Sequence, residues 1–212
     1  MRTEELILLL SEDSTLEARR LGRSVAAALL ASCAFLAVVT VAILGLRADL
    51  GAASSLAPVA AKVGVMLSLA IGGSLLVARM SRPGAPVGWA PALLAGGLVL
   101  LVAWIMFDLS QSGTAGLVER TMGTSWSRCL ATITVLAVLP FLSLLLAARQ
   151  GAVTRPGLAG AMAGLAATTL SGGFYALYCT EDSPLFVAAW YGLASSGMRG
   201  LGAMALRRFV RW

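Results

Sequence analysis

The sequence contains no histidine, and only 12% of its residues are charged. Without histidine, a serine or cysteine nucleophile has no imidazole base, and a metal site loses its commonest ligand. The chain also has no phosphate-binding loop of the G-x-x-x-x-G-K-[ST] type. These gaps remove the usual catalytic machinery, so we do not expect an enzyme and we predict no cofactor.

Apolar side chains, in contrast, are abundant. They make up 58% of the 212 residues, and the mean hydropathy is +0.87, which leaves too little polar surface for a soluble domain of this size. A bilayer core of roughly 30 Å requires about 20 apolar residues per helix. The predicted spans lie at about residues 25–46, 56–78, 89–107, 130–147, 157–178 and 184–206. Because these runs are apolar on every face, we predict an all-α polytopic membrane protein with six transmembrane helices.

The distribution of basic residues predicts the orientation. Eleven of them fall on one side of the six-span arrangement and four on the other. The eleven are Arg2, Arg19, Arg20, Arg23, Arg79, Arg82, Arg149, Arg155, Arg207, Arg208 and Arg211, and the four are Arg47, Lys62, Arg120 and Arg128. Basic residues favour the cytoplasmic side, so both termini are predicted to be cytoplasmic. The net charge of +6 then reflects topology and contact with the lipid bilayer, with no direct binding of nucleic acid.

Few charges fall within the predicted spans. Lys62 and Asp108 lie close enough to the outer boundary to extend towards it, and the long side chain of Arg199 can reach the inner headgroups. A transport pathway usually needs more such groups near the midplane. A small transporter or channel of unknown substrate, or a purely structural membrane subunit, remains an alternative.

Small residues recur at every fourth position in the last two predicted spans. They are Gly160, Gly164, Thr168 and Gly172 in the fifth span, and Gly192, Ser196 and Gly200 in the sixth. Such stripes allow helix backbones to approach closely. We expect packing within the chain, with a dimer face as the alternative.

We expect the chain to divide into a cytoplasmic tail at residues 1–24, which docks a partner, and a six-helix membrane domain at residues 25–212. Thr3 is placed to cap a helix that carries an apolar run including Leu6, Leu9 and Leu10. A second helix could begin at residues 14–17, which spell a capping box. The apolar run either lies on the inner membrane surface or docks a cytosolic protein in a groove.

The three cysteines have different settings. Cys33 lies in hydrocarbon, where a thiol behaves as a small apolar group. Cys129 and Cys179 flank the two spans of a predicted antiparallel hairpin and should reach the same depth at the outer face. They form a structural disulfide, a sensing thiol pair or two unrelated thiols. Nearby Glu181 and Asp182 either support a soft cation or begin the sixth span as caps.

Four segments resemble one known family. They are residues 1–7 (MRTEELI), 126–129 (WSRC), 154–160 (TRPGLAG) and 175–191 (YALYCTEDSPLFVAAWY). Together they are similar to the NrsF-type proteins, which are six-span inner-membrane negative regulators, or anti-sigma factors, of an extracytoplasmic-function sigma factor in proteobacteria. The likeness covers essentially the whole chain.

This resemblance implies a function. The protein would hold a cytosolic sigma factor at the bacterial inner membrane and release it on metal or oxidative stress, with Cys129 and Cys179 as the sensing residues and Trp126 beside them. Tyr178 stands where the family often has histidine, and Thr180 where proline is common. The missing histidine favours thiol chemistry over a shared metal site, and whether a metal binds is left open.

Overall fold

The computed structural model of the protein describes the backbone of residues 3–209 and the side chains of residues 19–52 and 55–209. Across that backbone the regular elements are all helical, which confirms the predicted all-α class. The helices are α1 (Thr3–Val39), α2 (Ala53–Met80), α3 (Ala90–Ser112), α4 (Leu117–Met122), α5 (Trp126–Ala148), α6 (Pro156–Tyr175), α7 (Pro184–Phe186) and α8 (Gly192–Phe209). Two π-helical turns extend this set, one after α1 (Thr40–Leu44) and one between α7 and α8 (Val187–Tyr191).

Four stretches within the described part of the chain are long and apolar enough to cross a membrane. They are Arg19–Leu44, Ser55–Met80, Ala90–Ser112 and Leu117–Ala148. They contain the first four predicted spans, apart from the last two residues of the first and the first residue of the third. The fifth predicted span overlaps α6 except for its last three residues, and the sixth lies within the segment from α7 to α8.

The first helix is longer than predicted. Residues 3–21 contain neither glycine nor proline, and α1 passes through residues 14–17 without a break. The predicted second helix start at the capping box is therefore wrong, because a capping box begins a helix only where the preceding backbone is not already helical. At its other end the first π-helical turn stops at Gly45, whose φ of 82° suits glycine.

Helix α6 forms the centre of the bundle and packs against α2, α5 and α8. Fifteen of its 20 residues are buried, most of them glycine, alanine, serine or threonine. In α3, only Ala90 and Gly97 are buried, and large apolar side chains cover the rest of its surface. A helix enclosed by other helices needs small residues for close contact, whereas one facing lipid needs apolar bulk.

The glycine stripe of α6 serves this close packing, as expected. A Cβ at Gly160 would overlap the carbonyl of Gly202 in α8, and a Cβ at Gly164 would overlap that of Met198. The stripe predicted for the sixth span differs, because a Cβ at Gly192 or at Gly200 would have no atom within 4 Å. The residues of α8 that meet α6 thus lie on a different face from the predicted one.

The two ends of the bundle differ in chemistry. One end holds Cys129 and Cys179, and we call it the thiol end. The other gathers arginines from several elements, and we call it the arginine end. There, Arg19, Arg23 and Arg82 line a common cleft, and the guanidinium of Arg149 lies 5.6 Å from the ring centre of Phe209.

Candidate functional site

The two outer cysteines come together at the thiol end. Cys129 lies in the first turn of α5, where its N–H donates to the carbonyl of Ser125 at 2.9 Å. Cys179 follows the end of α6, and its N–H donates to the carbonyl of Tyr175 at 2.9 Å. Because α5 and α6 are antiparallel neighbours of similar length, the start of one lies beside the end of the other.

Both thiols are free and almost wholly buried. Cys129 is 0% exposed and Cys179 is 3% exposed. They lie close enough to share a hydrogen bond, inside an apolar cluster built from α2, α5, α6 and the segment from α7 to α8. The other buried members of this cluster are Val65, Met66, Leu69, Ile133, Tyr175, Phe186, Val187, Tyr191 and Ala194.

A compact group of charges lies against the loop that carries Cys179. The side chain of Lys62 is fully buried, and its Nζ donates to the Asp182 carboxylate at 2.9 Å. Arg47, whose side chain is 3% exposed, forms a two-point pair with the same carboxylate at 2.9 and 2.8 Å and a second pair with Asp49. A buried cation is tolerated when its charge is matched and its donors are satisfied, and this group meets both conditions.

Both cations also bind the main chain of the cysteine itself. Arg47 Nη1 donates to the carbonyl oxygen of Cys179 at 3.2 Å, and Lys62 Nζ approaches the same oxygen at 3.4 Å while donating to the carbonyl of Glu181 at 2.8 Å. The main-chain N–H of Arg47 donates to the carbonyl of Leu177 at 3.1 Å. The peptide that carries the Cys179 thiol is thus tied to the loop that follows the first π-helical turn and to α2.

Electrostatics favour the charged forms in this loop. The pKa of Cys179 is lowered, chiefly by the hydrogen bond from the Cys129 thiol and then by the Lys62 ammonium, against the opposing effect of burial. Burial also acts to raise the pKa of Asp182, but hydrogen bonds from Arg47 and Lys62 outweigh it and hold that pKa below its usual value. The lowered pKa makes the thiolate of Cys179 easier to form, and the thiolate is the form that acts as a nucleophile.

The remaining predicted support residues close the site from the other side. The Glu181 carboxylate accepts hydrogen bonds from the N–H and the hydroxyl of Thr124 at 2.8 and 2.7 Å, which hold its pKa low. Trp126 stacks on Trp190 with ring centres 4.8 Å apart, and the Trp190 N–H donates to the carbonyl of Thr121 at 2.8 Å. These contacts fix the segment from α4 to α5 over the cysteines.

The structure therefore brings Cys129 and Cys179 together and places Trp126, Glu181 and Asp182 in the same layer. The Asp182 carboxylate is paired with Arg47 and Lys62, and the Glu181 carboxylate accepts hydrogen bonds from Thr124. The carboxylate oxygens that were expected to support a soft cation are therefore already engaged. Among the side chains that the structure describes, no group of three or more His, Cys, Asp or Glu residues is arranged to hold a metal ion. Cys33 lies apart in α1 beside another apolar cluster.

Sequence reasoning missed two residues of the site. Lys62 was expected to extend towards the outer boundary; its ammonium does reach the loop at the thiol end, but it is buried there and paired with Asp182, which was not foreseen. Arg47 was used only to predict the orientation of the chain in the membrane, and its role in the site was not foreseen. The available signal was a lysine within a long apolar run, since such a charge needs a partner. The docking residues Leu6, Leu9 and Leu10 lie outside the described side chains.

The fold and the site define a class: an all-helical protein, with helices long and apolar enough to cross a membrane, that holds two free thiols beside a buried ion-pair group. A family model described as "Negative regulator of sigma F" (NrsF) matches residues 9–212. The chain belongs to this family, whose named role is regulatory.

Two relatives support that assignment. The probable anti-sigma-F factor NrsF of Azospira oryzae is 34% identical over 215 aligned residues, which cover 100% of both chains. The anti-sigma-F factor NrsF of Caulobacter vibrioides is 36% identical over 147 residues, covering 68% of each chain. No solved structure matches the chain.

Proposed function

We propose that this protein is an anti-sigma factor of the bacterial inner membrane. It holds an extracytoplasmic-function sigma factor on its cytoplasmic face and releases it when Cys129 and Cys179 react with an oxidant or a soft metal. Family membership and the names of the relatives support the regulatory role. The paired thiols support the choice of signal, because Cys129 and Cys179 lie together in one cluster and the Lys62 ammonium favours the thiolate form of Cys179.

The membrane arrangement that we propose has six spans with both termini in the cytoplasm. Besides the four apolar stretches, α6 has 20 residues and the segment from α7 to α8 covers residues 184–209. At 1.5 Å per residue, each is about 30 Å or more in length, which matches a bilayer core. The arginine end faces the cytoplasm and the thiol end faces outward, in keeping with the bias of the basic residues.

The docking element that we propose is the start of α1, through Leu6, Leu9 and Leu10. With 37 residues, α1 is about 55 Å long, which exceeds the roughly 30 Å needed to cross the hydrocarbon core. The excess length extends beyond the bilayer on the cytoplasmic side in this topology. An apolar run on such an extension suits a partner that binds a helix in a groove.

The observation that carries the proposal is the double attachment of Cys179. Its thiol lies beside that of Cys129, while its carbonyl is held by Arg47, in the loop after the first π-helical turn, and by Lys62 in α2. When the thiols join or bind a metal, the Cys179 peptide moves and this attachment changes. Arg47 follows α1 through the first π-helical turn and Gly45, and α1 is one continuous helix from Thr3 to Val39, so we propose that a shift at Arg47 is passed through this turn to the docking element at the start of α1.

The test measures transcription from a promoter that depends on the sigma factor, with and without a thiol oxidant or a soft metal. Cys129→Ser and Cys179→Ser should each blunt the response, and the double variant should respond no less than either single one, because half a pair has no function. Cys33→Ser is the matched control and should respond as the wild type does. A double variant that represses and still responds normally would reduce these cysteines to a structural role.

A further inference from the structure

The two thiols differ in their access to the outside. An open cleft of about 260 Å³ lies at the thiol end, and Cys179 forms part of its wall. Arg47, Arg128, Ser125, Tyr178 and Thr180 line it as well. Cys129 is 0% exposed and does not belong to the wall that the described residues form. A small molecule that arrives through this cleft meets Cys179 first.

The position of Cys129 explains why it is shielded. It lies within the first turn of α5, and the Trp126 ring that precedes it in this turn stacks on Trp190. On its inner side lie Ile133 and the rest of the apolar cluster around the thiols. Of the two cysteines, Cys179 is therefore the one that lines the cleft formed by the described residues.

The cleft has a charge preference. The guanidinium of Arg47 is neutralised by Asp49 and Asp182, whereas Arg128 is exposed and forms no ion pair with the described acidic side chains. The other polar residues of the wall, Ser125, Tyr178 and Thr180, add no negative charge. An uncharged or anionic reagent is therefore favoured over a cationic one.

We propose that Cys179 is the modification site of the pair, which reacts first with a small hydroperoxide from the cleft, and that Cys129 resolves the product. This inference rests on the proposed thiol-sensing function and assigns an order to its chemistry. The lowered pKa of Cys179 is consistent with this order, because the thiolate is the reactive form.

The chemistry balances in two steps. The Cys179 thiolate attacks the terminal oxygen of the hydroperoxide, so that an S–O bond forms and the O–O bond breaks; the alkoxide takes up a proton and leaves as an alcohol. The Cys129 sulfur then attacks the sulfur of the Cys179 sulfenic acid, an S–S bond forms, and the hydroxyl leaves as water with the proton of Cys129. Two thiols are oxidised and one peroxide is reduced.

The first experiment needs no substitution. The full-length wild-type protein in membranes is treated with a limiting amount of a small sulfonate-bearing methanethiosulfonate, and the labelled cysteine is identified by peptide mapping. Cys179 should carry most of the early label, reacting about tenfold or more faster than Cys129. Equal labelling, or a faster Cys129, overturns the proposed order.

Three controls make the result specific. After denaturation, both cysteines should react at similar rates. Replacing the sulfonate probe with its trimethylammonium analogue should slow the labelling of Cys179, and Arg128→Gln should reduce that difference while Arg128→Lys keeps it. A charge-independent rate would contradict the role given to Arg128.

A second experiment follows the chemistry itself. In Cys129→Ser, a hydroperoxide should leave a sulfenic acid at Cys179 that a dimedone probe traps, whereas the wild type should form the disulfide. A sulfenic acid trapped at Cys129 in Cys179→Ser at the same rate would overturn the order. Both readouts are chemical, so a loss of transcriptional response with this order intact would contradict the sensor function alone.

Discussion

The two ends of the bundle use the same kind of residue in opposite ways. At the arginine end, the side chains of Arg19, Arg149 and Arg208 are exposed, where they can interact with lipid headgroups or an acidic partner. At the thiol end, Arg47 and Lys62 are buried and matched to carboxylates, and they bind the main chain of one loop. Exposed cations set the orientation of a membrane protein, whereas buried cations fix its internal geometry.

The prediction with the largest expected effect concerns the orientation of the two ends of the bundle across the membrane. Reporters fused at Arg82, Arg155 and Trp212 should lie in the cytoplasm, and reporters fused near Ser112 and Asp182 should lie outside the membrane. The reason is that the basic residues are concentrated at the arginine end. The measurement uses two reporter enzymes, one that is active only in the cytoplasm and one that is active only outside the membrane. An external C-terminus would contradict the six-span arrangement.

The second prediction concerns the docking element. Replacing Leu6, Leu9 and Leu10 by serine should release the sigma factor and raise target transcription, because each lost apolar anchor costs about 1–2 kcal/mol of binding. The measurement compares transcription with the amount of protein in the membrane. Replacing Leu30, an exposed residue of α1, by alanine gives a control within the same helix. Unchanged repression at a normal protein level would place the docking site elsewhere.

The third prediction tests the thiol end directly. Asp182→Asn leaves Lys62 and one side of Arg47 without their shared carboxylate, so we expect a loss of about 3 kcal/mol in the free energy of unfolding. Thermal unfolding of the solubilised protein is the readout. Arg208→Gln at the other end should change stability by less than about 0.5 kcal/mol. Equal effects of the two substitutions would erase the difference between the ends.

These expectations show what the sequence can and cannot specify. The positions of the long helices could be predicted from the apolar runs, because the thickness of a bilayer sets the length that such a run must have. The meeting of Cys129 and Cys179 followed from the hairpin of α5 and α6, which are consecutive in the chain. Asp182 lies 135 positions from Arg47 and 120 from Lys62, and no local pattern links residues so far apart. Their pairing depends on how α1 and α2 pack against the rest of the bundle.

The smallest expected effect is a dependence on pH. The pKa of Asp182, which faces Arg47 and Lys62, is lower in the folded protein than its usual value of 3.8. A carboxylate of this kind stabilises the fold fully above its unfolded pKa and loses this contribution as the pH falls through its folded pKa. The stability difference between the wild type and Asp182→Asn should therefore shrink below about pH 4. A constant difference across that range would show that ionised Asp182 is not its source.

The central claim is that the state of the two thiols at one end sets the affinity for the sigma factor at the other. The most direct measurement is the Kd of the purified sigma factor for the full-length protein in lipid nanodiscs, before and after treatment with a thiol oxidant. For the wild type, oxidation should raise the Kd about 100-fold, because a coupling of a few kcal/mol is enough for that change. Cys129→Ser should bind the sigma factor with the affinity of the untreated wild-type protein, both before and after the oxidant is added. Equal affinities of the oxidised and reduced wild-type protein would contradict the claim.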